Sequence, residues 1–302
     1  MHAPATPDAI VRLPIERSQV GQIFLRPKTI GLHVIVALAL ATSTDNGSAQ
    51  VGEPRSRAYD FASTSTDVRA AWSNPAGLSM IPEASVMLEA RLDFPEGSDT
   101  RIGQYSLGFS SRGLALVFQK DRFLNGFTGS TYRLGLSSPF ELGAVGLAIS
   151  LYHGSGDNKR DADVGVRLRP REAFDFGFVI RHIGRPTVRG ETLPLTAVGS
   201  VNFTPWQRTS FAAEITAAER TSDSDVELGY RLRGAISHPR LRAGGLVLLE
   251  LDDGLSLVRL HIGISLGDAS VVSLGTVVQE PRSRLQTVSF TGVASRILRP
   301  IP

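Results

Sequence analysis

Asp163-Val164-Gly165-Val166-Arg167-Leu168-Arg169 is two interleaved rows of residues. Val164, Val166 and Leu168 make one row; Asp163, Gly165, Arg167 and Arg169 make the other. A period of two belongs to a β-strand with one apolar and one polar face, because successive side chains leave a pleated strand on opposite sides. Asp175 to Arg181 repeats the habit, with Phe176, Phe178 and Ile180 on the apolar side. Working outward, the same alternation covers 106–109, 113–120, 131–137 and 143–151 before it, and 195–204, 208–217, 225–233, 239–249, 256–266, 269–279 and 285–293 after it.

The breaks between these stretches alternate in length. Short breaks fall at 111–113, 138–141, 170–172, 204–207, 237–239 and 267–268, and longer ones near 94–101, 121–129, 153–161, 182–193, 218–224, 250–255 and 280–284. Pro, Gly, Asp and Ser supply the reversals. Short turns at one end and longer loops at the other are the rhythm of an outer-membrane barrel. The expected fold is all-β: an antiparallel up-and-down transmembrane β-barrel of about 14 strands over 84–294, with a C-terminal tail at 295–302. A soluble β-sandwich or soluble barrel is the competing architecture. Glycines on the polar faces (Gly108, Gly135, Gly165, Gly177, Gly229, Gly263) point to a crowded polar interior.

Composition is compatible with this reading and narrows the chemistry. The 302 residues carry 32 basic and 29 acidic side chains, a net charge of +3, with no charge block that suits nucleic acid. No apolar run reaches the length of a membrane-spanning helix, whereas alternating strands dilute hydropathy and escape that test. Zero cysteines remove disulfides, thiol nucleophiles and thiolate metal sites.

Residues 1–49 read as a signal peptide with a long or mis-started basic region. Arg12, Arg17, Arg26 and Lys28 precede the apolar run Ile30–Thr42, and Gly47-Ser48-Ala49 offers a small-residue cleavage site. Residues 50–83 break the strand pattern. Asp67–Trp72 is expected as a short helix, and Asn74-Pro75-Ala76-Gly77 as a tight turn, forming a short N-terminal helical or plug segment.

The run Asp67-Val68-Arg69-Ala70-Ala71-Trp72-Ser73-Asn74-Pro75-Ala76-Gly77-Leu78, followed at once by a β-rich body, resembles the start of the FadL-type long-chain fatty acid and hydrocarbon transporters. It is also similar to the related PorV/PorQ-like outer-membrane barrels. The body resembles, more weakly, the barrel-like N-terminal region of some signal-peptide-peptidase proteins. The FadL-type resemblance implies a lumenal hatch and makes Asn74, Pro75, Ala76 and Gly77 its gate residues.

No enzymatic constellation is visible. The histidines at 2, 33, 153, 182, 238 and 261 make no close metal-ligand pair, and they read as exposed or packed residues. The sign-alternating run 157–163 lacks a calcium-loop pattern, and no nucleotide loop or nucleophile elbow occurs. No cofactor and no metal are expected. Strand-borne charges are expected to line a lumen and set its selectivity: Glu89, Arg91, Arg133, Asp163, Arg167, Arg169, Asp175, Arg181, Glu214, Glu227, Arg231 and Arg259. The expected function is passive transport of a small hydrophobic solute across the outer membrane of a two-membrane bacterium. The alternative is a non-transporting scaffold barrel in an envelope or secretion complex. Expected partners are outer-membrane lipid and either a hydrophobic small molecule or an envelope protein complex.

Overall fold

A computed structural model describes residues 54–297 apart from 82, 95–98, 124–125, 127, 155–158, 189–190, 220–225, 239–242, 252–254, 266–269 and 280–283. At 55, 58, 188, 191, 237–287 and 297 it describes the backbone alone. The expectations for residues 1–49, for the last residues of the tail and for the Arg259 side chain lie outside the described residues.

Among the described residues, the alternating stretches form strands. In chain order the strands are β1 (Glu83–Asp93), β2 (Arg101–Ser111), β3 (Leu114–Arg122), β4 (Thr128–Phe140), β5 (Gly143–His153), β6 (Lys159–Arg171), β7 (Phe174–Arg181), β8 (Thr187–Val188), β9 (Glu191–Thr192), β10 (Thr196–Trp206), β11 (Thr209–Glu219), β12 (Val226–His238), β13 (Ala243–Leu251), β14 (Leu255–Ser265), β15 (Ser270–Gln279) and β16 (Arg284–Ile297). Fourteen of them form one closed antiparallel ring, while β8 and β9 make a separate two-stranded ribbon between β7 and β10. Closure comes from β1, which pairs with β2 on one side and with β16 on the other, from Glu83↔Ile297 to Asp93↔Thr287.

The expected architecture needs correction at its N-terminal end and in its simple up-and-down count. No helix of seven or more residues occurs among the described residues. The segment before β1 holds one four-residue helix, α1 (Ala70–Ser73), and 3-10 turns at Arg55–Ala58 and Pro75–Ser79. Two local effects keep α1 short. Proline disfavours helical backbone at the residue before it, and Asn74 is extended at φ −158°, ψ 108°. At the other end Asp67 Oδ1 accepts from the Arg69 backbone N–H at 2.9 Å, a local bond that competes with helix. The ribbon adds two strands in the 182–193 break that the sequence pattern leaves as loop.

The tight turns sit at one end of the ring. β2 and β3 join through Arg112 (φ 51°) and Gly113 (φ 84°), two left-handed residues in succession, as two-residue hairpins prefer. A side chain at Gly113 would also meet the Ser137 carbonyl oxygen at 2.4 Å.

Polarity across the wall is inverted relative to a soluble globule. On β5, Val145, Leu147, Ile149 and Leu151 point outward and are exposed, while Ala144, Ala148 and Ser150 point inward and are buried. Leu88 on the outside is 62% exposed, whereas Arg133 on the inside is 2% exposed. Aromatics gather at both ends of the outward face. Tyr105, Phe118 and Tyr132 cluster at the loop end, with ring centroids 6.1 and 5.2 Å apart. At the turn end Phe174 stacks on Phe203 at 4.7 Å, near exposed Trp206 and Phe211. Tyr132 and Phe140 share the outer face of β4. Their separation is about 27 Å along the strand, or about 20 Å of height at a tilt of about 40°. That is comparable to the apolar band of an outer-membrane barrel, about 25 Å.

Candidate functional site: a lumenal segment held by arginines

Residues 54–81 lie inside the ring and are largely buried there. Asn74 organises the segment. Its Oδ1 accepts from the Ala76 N–H at 3.1 Å, capping the Pro75–Ser79 turn. Its Nδ2 donates to the carbonyls of Ala62 at 2.9 Å and Val166 at 3.0 Å, with Phe178 further off at 3.5 Å. One side chain therefore ties the segment to itself and to β6. Pro75, Ala76 and Gly77 are buried with it. Gly77 allows a close crossing, because a Cβ there would lie 2.2 Å from the Ser65 carbonyl oxygen.

The wall makes room for this backbone with small residues. A Cβ at Gly165 would lie 2.0 Å from Asn74 Oδ1, and one at Gly146, its partner on β5, would lie 2.3 Å from the Ala76 nitrogen. Gly108, Gly135 and Gly177 likewise face the segment, against Val68, Leu78 and Ala62. Gly229 differs, with nothing within 4 Å of its added Cβ.

The last carbonyls of a helix lack intrahelical donors and carry partial negative charge. Here three guanidiniums meet them: Arg133 Nε donates to Ala71 O, Arg57 Nε to Trp72 O at 2.7 Å, and Arg181 Nη2 to Ser73 O at 2.9 Å. Asp163 links two of these, accepting from Arg57 Nη2 at 2.9 Å and from Arg133 Nη2. The Arg133 guanidinium also lies over the Trp72 ring at 5.3 Å. On the opposite wall Arg231 pairs with Glu214, donates to the Arg57 carbonyl at 2.6 Å and covers the Phe61 ring at 4.8 Å. Glu214 in turn accepts from the Ala62 N–H at 2.9 Å. Arg167 donates to Ser65 O and to Asp175. Glu89 accepts from the Ser56 and Tyr59 hydroxyls, each at 3.3 Å.

The structure thus gathers Asn74–Gly77 with Glu89, Arg133, Asp163, Arg167, Asp175, Arg181, Glu214 and Arg231 around one segment. Arg91 and Arg169 stand apart from the segment contacts: Arg91 pairs with Asp93 at 2.7 Å, and Arg169 with Asp175 at 2.8 Å from a partly exposed position. Glu227 is exposed and is not brought into the cluster. Alternation alone did not reveal Arg57, Ser65 or the internal triad of Asp60, Asp67 and Arg69, because the segment carrying them has no strand period. In that triad Arg69 lies 2.6 Å from Asp67 and 3.6 Å from Asp60. Burial alone would raise the Asp67 carboxyl, but the Arg69 charge and hydrogen bonds outweigh it and hold Asp67 below the ordinary carboxylate range. Burial opposes the charge of Arg69 as well, and Asp60 and Asp67 overcome it, raising the guanidinium well above its usual value. The Tyr59 phenol is pushed far up by burial, with the Glu89 charge adding to the effect.

His182 was another residue without a sequence signal. It follows β7 at φ 59°, and its ring Nδ1 lies 2.6 Å from Asp161. Asp161, Asp163 and His182 place one ligand atom each within 4.8 Å of one another. Asp163 is already matched by two guanidiniums, so the cluster's charge is set against a cation.

No family model matches this sequence. No curated protein matches it either. Solved structures do resemble the fold. The Ralstonia pickettii toluene transporter TbuX matches with a TM-score of 0.53 at 9% identity, over 77% of this chain and 94% of that one. The Pseudomonas putida toluene transporter TodX follows at a TM-score of 0.48 and 10% identity, over 84% and 98%. The Acinetobacter baumannii outer membrane protein Omp33 gives 0.46 and 8%, over 72% and 99%. Only the first of these likenesses is strong enough to carry an argument, and at such low identity it is a likeness of fold. The resemblance of the Asn-Pro-Ala-Gly-Leu region to FadL-type barrels is therefore joined by a shared architecture.

Proposed function

We propose that this protein sits in the outer membrane and passes a small solute through its barrel, with residues 54–81 as the gate. The observation that carries the membrane reading is the inverted wall, apolar outside and charged inside. Lipid forbids unpaired backbone, and a ring without sheet edges satisfies that demand. The gate reading rests on the way the segment is held. Beside an apolar cluster of Val68, Ala70, Ala71, Trp72 and Leu78 with Met87, Ala115, Val117 and Val293, its fastenings to the wall are polar and numerous, and such bonds can be exchanged for water. A small hydrophobic solute is the favoured cargo, in keeping with the toluene named for TbuX and with the FadL-like region around Asn74.

A second reading has a specific observation behind it. Residues 54–81 and paired charges occupy the lumen beside Gly108, Gly135, Gly146, Gly165 and Gly177, which suits a scaffold barrel that conducts nothing. One experiment separates the two. Toluene flux would be measured in vesicles carrying the purified barrel, for the native protein and for Asn74→Ala. Flux above protein-free vesicles, altered in Asn74→Ala, supports the transport reading. Equal flux in all three samples sinks it and leaves the scaffold.

A further inference from the structure

We propose that the outer face of the wall holds one anionic phospholipid, with an acyl chain in a furrow across β10, β11 and β12 and its phosphate on Arg208. The site rests on the membrane reading above and needs nothing from the gate.

The furrow follows from the register of three strands. Phe203 lies opposite Phe211, and Phe211 opposite Gly234. Two residues further from the turn end, Val201 lies opposite Ala213, and Ala213 opposite Leu232. All six positions share the outward face, because residues two apart on a strand leave it on the same side. The small residues Ala213 and Gly234 therefore fall on one diagonal, between Phe211 on one side and Leu232 on the other. A Cβ at Gly234 would meet nothing within 4 Å, so the floor is open there. The depression measures about 450 Å³, and every side chain on its outward walls is hydrocarbon. Phe203 is held back from it, since its ring stacks at 4.7 Å on Phe174 of β7, on the far side of β10. A furrow left empty deprives its lining of partner atoms, and a run of methylenes supplies them.

Charge selects the headgroup. Gln207 and Arg208 make the turn between β10 and β11, where Trp206 pairs with Thr209. Arg208 is exposed and has no ion pair or hydrogen bond among the described residues. No carboxylate side chain occurs from 201 to 213 to compete for it. A guanidinium suits phosphate, which it binds through two parallel N–H donors. Trp206 beside it is exposed, as interfacial tryptophans are. Depth agrees with this placement. Gly234 lies four residues before the end of β12, which is about 14 Å along the strand, or about 10 Å of height at a tilt of about 40°. A phosphate on Arg208 thus sits at the membrane edge, and its chain rises into the apolar band over Gly234 and Ala213.

The test uses Trp206 at the mouth of the furrow. The chain has two tryptophans, so Trp72→Phe leaves Trp206 as the sole one. The barrel would be refolded into vesicles of phosphatidylcholine and phosphatidylglycerol, with brominated acyl chains on one lipid or the other. Bromine quenches an indole that it touches, and flotation with the vesicles reports insertion separately. The expected result is a preference for phosphatidylglycerol of about fivefold at Trp206, the contribution of one interfacial arginine. Arg208→Gln should abolish that preference, and so should Gly234→Leu, which fills the floor. Arg208 lies in an exposed turn, so its variant decides the matter even where Gly234→Leu does not fold. A preference that survives Arg208→Gln assigns the lipid to another cation, and one that survives Gly234→Leu assigns it to headgroup attraction without the furrow; either overturns the site. A barrel that does not float removes the membrane reading and the site together. A floating barrel with no preference removes the site alone.

Discussion

Gly165 is where the wall and the segment come closest, and it makes a direct test of docking. A methyl group there would need the space of Asn74 Oδ1, only 2.0 Å away, with Pro75 Cδ at 3.3 Å behind it. Asn74 cannot swing aside without leaving its bonds to Ala62 and Val166. Gly165→Ala should therefore loosen the segment by about 1–3 kcal/mol, the usual range for overpacking, seen as increased quenching of Trp72. Gly229→Ala, which meets nothing within 4 Å, should leave quenching unchanged. Asp163 offers the electrostatic counterpart. Asp163→Asn deprives Arg57 and Arg133 of their shared carboxylate, and breaking a buried pair on one side costs about 3–5 kcal/mol. A fall in the urea midpoint of the refolded barrel measures it; an unchanged midpoint would mean that water already screens those arginines. Alternation in the sequence put Asp163, Arg167 and Gly165 on one face, and that face is the lumen. It could not say that Arg133 meets Asp163, because that pairing depends on the sheet register and on Arg57 arriving from a segment far away in the chain. Glu227 shows the limit from the other side. It shares the parity of Arg231, but it lies near the loop end of β12 and is exposed, because burial in a barrel depends on height as well as face.

At the scale of elements, the strands were legible and the lumenal segment was not. A strand announces itself by period, since one face meets lipid and the other the interior. The segment meets interior on every side, so its sequence carries no period, and its conformation follows from Pro75, the Asp67–Arg69 contact and the arginines that cap α1. The same contacts give it a pH window of its own. Asp67 is held below its ordinary value when docked, so its contribution is fully present above about pH 4 and is lost as pH falls through the depressed value. Tyr59 is raised, so its contribution is fully present below about pH 10 and is lost as pH rises toward the docked value. With Trp206→Phe leaving Trp72 as the sole tryptophan, its acrylamide quenching should rise at both extremes of the pH scale. Replacing Asp67 with Asn should abolish the acid limb and spare the alkaline one. An acid limb that survives Asp67→Asn would assign it to a strand carboxylate instead.

For the whole molecule, the decisive question is what the outer face touches, and Leu147 decides it. It stands near the middle of β5, points outward between Val145 and Ile149, and is 37% exposed. In a soluble barrel an exposed leucine is an ordinary surface residue, and Leu147→Arg would change stability by no more than about 0.5 kcal/mol. In a membrane the same arginine would lie near the bilayer midplane, at a cost of about 2–4 kcal/mol. The two environments therefore give different answers for one substitution at one site. Position along the strand sharpens the contrast. Phe140, at the turn end of β4, lies near the interface, where the cost of arginine falls to about 0–1 kcal/mol, so Phe140→Arg should be tolerated even in lipid once the lost aromatic contact is discounted. Urea unfolding from lipid vesicles, compared between Leu147→Arg and Phe140→Arg, gives the depth profile. A large loss at Leu147 with a small one at Phe140 is the signature of a band about 25 Å tall crossing these strands. Equal, small losses at both would place the apolar face in water or against another protein, and the membrane reading would fall with them.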